Sequence, residues 1–169
     1  LPKGICKILA YIAKVLPDNV KGKSFLQRGT TPLNKRYIGN AKIFEELEKR
    51  EIFKLFNEEV SYRQITAPLF AEAKELDPVT QMQYIDLHTW LPGDILLKAE
   101  QMARANNLDV RMPFLDQKVF HIARKIPVEM KVSNKTTKYI LREASKGIVP
   151  NHVLNRKKLG FPVPIRHWL

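Results

Sequence analysis

Apolar residues at helical spacing, cut at short intervals by proline and glycine, constrain this chain more than any other feature. Ile5, Ile8, Leu9, Ile12 and Leu16 fall on one face of a helix and stop at Pro17, whose ring has no amide hydrogen and clashes with the preceding turn. Almost nowhere do apolar and polar residues alternate with the period of two that a half-buried strand requires. The pattern predicts an all-α chain of short helices.

The punctuation sets the expected elements. Gly22, Gly29, Pro32 and Gly39 leave little scope for regular structure, so an irregular connection is expected over about residues 18–39. Asn40 is a candidate N-cap for Ile43, Phe44, Leu47, Phe53, Leu55 and Phe56, whose spacing slips near Arg50 and predicts two short helices. Asp77-Pro78 is a start signal, since the carboxylate accepts from a free amide and proline at the first helical position gives up no bond. A helix is predicted from Pro78 to about Trp90, interrupted by Pro92-Gly93-Asp94. A second follows through Ile95, Leu96, Ala99, Met102 and Ala103 to Asn106-Asn107.

Residues 108–112 form the one plausible extended segment, because Pro113 biases Met112 away from helix. Asp116 caps the next helix, through Val119, Phe120, Ile122 and Ala123, which ends by Pro127. Thr136 or Thr137 is expected to cap another, through Tyr139, Ile140 and Ala144, stopping at Gly147. Residues 150–155 supply one or two further turns.

Composition excludes several classes. The 169 residues carry 29 Lys+Arg against 17 Asp+Glu, a net charge of +12, and 44% are hydrophobic, enough for the core of one ordinary domain and too much for a disordered chain. No apolar run reaches the roughly 18 to 20 residues needed to cross a bilayer, so no membrane partner is expected. The lone Cys6 cannot close an internal disulfide and reads as a small buried hydrophobe, which predicts a reducing, cytoplasmic setting. The sequence opens on Leu1 rather than Met and stops abruptly at Trp168-Leu169, so it is expected to be part of a larger protein.

A charge of +12 invites a nucleic-acid partner, but the cations are spread along the chain. Their only dense groups, Arg156-Lys157-Lys158 and residues 131–138, lack the interleaved aromatics of a stacking platform. A basic helical nucleic-acid-binding module therefore stands as the alternative from another class. His88, His121, His152 and His167 have no metal-ligand spacing, so no metal site is expected, and the seven glycines form no phosphate-cradling loop.

Two segments are too particular for generic helix filling. In Leu91-Pro92-Gly93-Asp94-Ile95-Leu96-Leu97-Lys98, Asp94 and Lys98 stand four apart and can pair, a solvated ion pair being the commoner outcome for such spacing. In residues 156–164, three cations precede Gly160, Pro162 and Pro164. A stiff loop of this kind suits an anion such as phosphate, and a plain basic surface loop fits the same residues equally well.

These segments resemble one family. Leu91-Pro92-Gly93-Asp94-Ile95-Leu96, Leu108-Asp109-Val110-Arg111-Met112-Pro113-Phe114-Leu115-Asp116, Lys138-Tyr139-Ile140-Leu141-Arg142-Glu143 and Arg156-Lys157-Lys158-Leu159-Gly160-Phe161-Pro162-Val163-Pro164 follow the order and spacing of glutamine-hydrolysing asparagine synthetases. The resemblance covers essentially the whole chain. It implies a single helical fragment over residues 1–169, the C-terminal portion of an α/β adenine-nucleotide-hydrolase-like synthetase domain. The family's glutaminase domain and its Ser-Gly-Gly-x-Asp-Ser pyrophosphate loop are absent from the sequence, so the fragment is expected to be inactive alone.

The resemblance further implies the chemistry: aspartate is activated by ATP and Mg²⁺ as β-aspartyl-AMP, and glutamine-derived ammonia then displaces AMP. The implied partners are the N-terminal glutaminase domain and the missing α/β part of the synthetase domain. Surface that would have met the missing sheet is expected to be exposed, so a homo-oligomer is a further expectation. By position, Lys158 matches the family lysine at the reacting phosphate and acyl intermediate, while Asp94, Lys98 and Arg111 lie in segments bordering the active site. Where many members read Asp, Lys or Arg, Met, Ser or Thr, Met, Ala, His, Ser, Leu, Glu, this chain reads Glu100 through Asp109 with the acids kept but resized. A related ligase forming another amide, including a β-lactam ring, is the alternative that this departure leaves.

Overall fold

In the computed structural model, residues 3–17, 20–39, 44, 46–133 and 136–157 are described, and among them the backbone forms helices and turns with a single isolated bridge, Val132 to Thr137. The chain divides into two compact units, Leu1–Arg111 and Met112–Leu169.

In the first unit α1 (Lys3–Val15) follows the predicted stripe and ends where Pro17 forbids continuation, with Ala13 buried. The expected irregular connection is corrected: α2 (Lys23–Thr30) and α3 (Leu33–Arg36) lie within it, and α2 packs on α1. The breakers mostly mark boundaries. Gly22 takes φ 97° immediately ahead of α2, a left-handed turn that a side chain would strain, and Pro32 sits ahead of α3. Gly29 falls inside α2, where its cost of about 1 kcal/mol is small enough for packing to override.

Among the described residues, helix α4 (Glu46–Ile52) is the only helix in the region where two were predicted; Asn40 and Ile43 lie outside the described residues. Past Ile52 the chain turns instead, because the Asn57 side chain accepts from the Glu59 amide at 2.9 Å and so competes with a helical ladder. Helix α5 (Arg63–Glu72) was not anticipated, since Pro68 stands inside it. Burial of Thr66 and Phe70 against its neighbours α3 and α6 holds it despite the missing amide.

Helix α6 (Pro78–His88) starts as predicted: Asp77 Oδ1 accepts from the amides of Val79 at 2.9 Å and Thr80 at 3.0 Å. Its Ile85 is fully buried. The expected interruption at Pro92-Gly93-Asp94 is a π-helical stretch, Leu91–Leu96, that runs straight into α7 (Leu97–Ala105). Pro92 cannot donate to the ladder, and a widened turn absorbs that loss without ending the helix. Left-handed Asn107, φ 53°, then closes α7, with the Leu108 amide donating back to Ala103 at 2.9 Å.

The second unit opens on a 3₁₀ turn, Pro113–Leu115, followed by α8 (Gln117–Ala123), capped by Asp116 as predicted. Next come α9 (Val128–Lys131), α10 (Tyr139–Ala144) and α11 (Asn151–Leu154). The N-cap of α10 is left-handed Lys138, φ 59°, and not a threonine. Thr136 is committed elsewhere: Ser133 and Thr136 bond each other across the turn that carries the bridge.

Candidate functional site

Lys158, the residue matched to the family lysine, and the loop that follows it lie outside the described residues. The approach to it is described. Helix α10 faces the exit of α11 across a concavity of about 940 Å³, whose wall includes Arg142, Glu143, Lys146, Arg156 and Lys157. Four cations against one carboxylate make that wall attractive to anions.

Two of these four cations are already engaged. Lys146 Nζ bonds Glu143 Oε2 at 2.5 Å, and that hydrogen bond, with the attached negative charge, holds the ammonium above its ordinary pKa. The Arg142 guanidinium donates to three backbone carbonyls, those of Thr137, Leu154 and Arg156. Arg156 and Lys157 are exposed. Residues 138–143 carried the family resemblance in sequence, yet nothing in their spacing marked Arg142 as the side chain that ties this region together.

The other predicted site residues sit in the first unit. The structure brings Asp94 and Lys98 together as an ion pair between the π-helical stretch and the first turn of α7, with Asp94 one-third exposed. Arg111 instead pairs with Asp109 at 2.6 Å, and both are largely solvated. Pairs this exposed contribute about 1 kcal/mol or less, so neither needs to be kept for stability.

Sequence reasoning missed one half-buried polar contact. Tyr37 Oη donates to Asp86 Oδ2 at 2.6 Å, and burial first, then that bond and the carboxylate charge, push the phenol well above its usual pKa. Beside it Gly39 takes φ 100°, and a Cβ there would stand 3.1 Å from Thr89 Oγ1 and 3.3 Å from Asp86 Oδ1. Tyr37 and Asp86 are 49 positions apart, which leaves no local signal to read.

Among the described residues no three His, Cys, Asp or Glu side chains gather as metal ligands, and no helix is long and apolar enough to cross a membrane.

Among the described residues the chain is helical, with the Leu91–Leu96 turn, a helix capped by Asp116 and a cation-rich exit from α11, as an all-α portion of a larger domain requires. The chain belongs to the asparagine synthase family, whose model, described as "Asparagine synthase", matches residues 12–169. Over its whole length it is 57% identical to "Asparagine synthetase [glutamine-hydrolyzing] 1" of Bacillus subtilis and covers 27% of that protein. It is 49% identical, again over its whole length, to a "Putative asparagine synthetase [glutamine-hydrolyzing]" of Mycobacterium tuberculosis strain H37Rv, covering 26% of it. A more distant likeness, 28% over 102 residues, or 56% of this chain and 15% of the relative, is to "Amidase chry2" of Gibberella zeae. The chain thus spans about a quarter of the length of the asparagine synthetases it matches throughout. No solved structure matches.

Proposed function

We propose that this chain is the helical portion of a glutamine-dependent asparagine synthetase. In that reaction an aspartate side-chain carboxylate oxygen attacks the α-phosphorus of ATP and expels pyrophosphate. Ammonia released from glutamine by a glutaminase domain then attacks the acyl carbon, loses a proton and expels AMP, leaving asparagine. The observation that carries this reading is the 57% identity to a glutamine-hydrolysing asparagine synthetase across the entire chain.

The role given to Lys158 is electrostatic. Negative charge grows on phosphate oxygens in the first step and on the departing AMP in the second, and an ammonium already in place lowers both barriers without reorganising. Asp94, Lys98 and Arg111 are read as bordering the aspartate and ATP sites, their ion pairs being weak enough to be exchanged for ligand contacts. Magnesium enters with ATP to screen the phosphates. The described residues gather no ligand set for it. The phosphates themselves need a glycine loop that this sequence does not contain, which is why the chain is read as inactive alone. A lone cysteine suits work in a reducing cytoplasm.

Lys158→Ala in the full-length enzyme tests the assignment. Aspartate-dependent pyrophosphate release is expected to fall by about 10²- to 10³-fold, while glutamine hydrolysis continues. Normal pyrophosphate release from this variant overturns the role of Lys158.

A further inference from the structure

Arg142, half-buried on α10, donates from Nη1 to the Leu154 carbonyl, from Nη2 to the Arg156 carbonyl at 3.2 Å and from Nε to the Thr137 carbonyl at 3.3 Å. One planar group thereby joins the turn ahead of α10 to the last residue of α11 and to the chain leaving it. A guanidinium can do this because its N–H groups form a rigid fork. An ammonium is a compact point donor and cannot reach three carbonyls set so far apart around a plane.

The segment that Arg142 holds is the one that delivers the lysine. Lys158 follows Arg156 by two residues in sequence, so the Arg156 carbonyl is the last anchored point described before it. Helix α11 has only four residues and buries none of its described side chains, so its own packing cannot fix where the chain leaves it. The three charge-assisted bonds can.

We propose that Arg142 is the positioning residue for Lys158: it acts through the backbone at 154 and 156 and touches no substrate. The proposal rests on the asparagine synthetase reading above. Without those bonds the exit of α11 is free to shift, and an ångström of displacement at a reacting centre costs about 10²-fold in rate.

The experiment uses the full-length enzyme with Arg142→Ala, Arg142→Lys, Lys158→Ala and the double variant Arg142→Ala/Lys158→Ala. Amide hydrogen exchange over residues 154–157 is read alongside the steady-state kinetics of aspartate-dependent pyrophosphate release. Both Arg142 variants are expected to exchange faster at 154–157, with the other segments and glutamine hydrolysis unchanged. Their kcat should fall by about 10²-fold with the KM for ATP little altered, and the double variant should be no slower than Lys158→Ala alone. Normal turnover in Arg142→Lys overturns the proposal, because charge without a fork would then suffice. So does unchanged exchange at 154–157, or a double variant whose loss is the product of the two single losses. Failure of the parent reading looks different: it is normal turnover in Lys158→Ala, whatever the exchange at 154–157.

Discussion

Tyr37 donates to Asp86 in a half-buried setting beside Gly39, a position where the left-handed backbone and two oxygens within 3.3 Å of a placed Cβ would strain any side chain. The consequence is a pH dependence of defined sign. Because the folded-state pKa of Tyr37 is raised above the unfolded value of about 10, the contribution of this bond is fully present below that pH. It is lost as the pH rises from there toward the folded value, since the unfolded chain then releases a proton that the folded chain keeps. Chemical denaturation between about pH 9 and 12 should show stability falling more steeply in the unaltered protein than in Tyr37→Phe. Equal slopes would mean that the phenol is not held in the way the 2.6 Å contact indicates.

At the level of elements, the glycines of the region first read as irregular separate into two kinds. Gly22 has φ 97° just ahead of α2, whereas Gly29 sits inside the helix with nothing within 4 Å of a Cβ placed there. Opposite effects follow from the same substitution. Gly22→Ala should destabilise by about 1–2 kcal/mol through left-handed strain, and Gly29→Ala should stabilise by up to about 1 kcal/mol through a better helix former. Urea denaturation of the two variants checks this; effects of like sign would place the start of α2 elsewhere. The same pair shows what can be read from residue types alone. Start signals built from one side chain and the amides two and three residues on, at Asp77 and Asp116, were legible because the whole interaction is local. The α2, α3 and α5 helices were not, since glycine and proline are read as breaks unless the packing that overrides them is known. Asn57 and Lys138 failed the other way: turns follow Ile52 where a second helix was expected, one of them closed by the Asn57 side chain, and a left-handed backbone took the cap expected from a threonine.

Over the molecule as a whole, the candidate site was legible as motifs and not as geometry. Asp94 with Lys98 is a local pair that spacing foretells, but three carbonyls meeting at Arg142 from positions 137, 154 and 156 depend on how α10 and α11 lie together. Burial sets a further expectation. The buried apolar residues, Ala13, Phe70, Ala73, Ile85 and Ala103, all belong to the first unit, and no described residue of the second is buried. The second unit nevertheless carries Phe114, Leu115, Phe120, Ile122, Leu141, Ile148 and Val153 as exposed side chains. Apolar groups left in water at about 25 cal/mol per Å² supply no folding drive, so among the described residues local bonds such as those of Asp116 and Arg142 hold its helices without a dry core. The 169-residue chain on its own should therefore bind the dye ANS strongly, self-associate as its concentration rises, and melt without a sharp transition in residues 112–157. On the proposed reading, a full-length synthetase carrying this chain should bind little dye, with those side chains covered. Weak dye binding by the isolated chain, together with one steep transition seen by both far- and near-ultraviolet circular dichroism, would show that the second unit packs more tightly than its exposed residues allow.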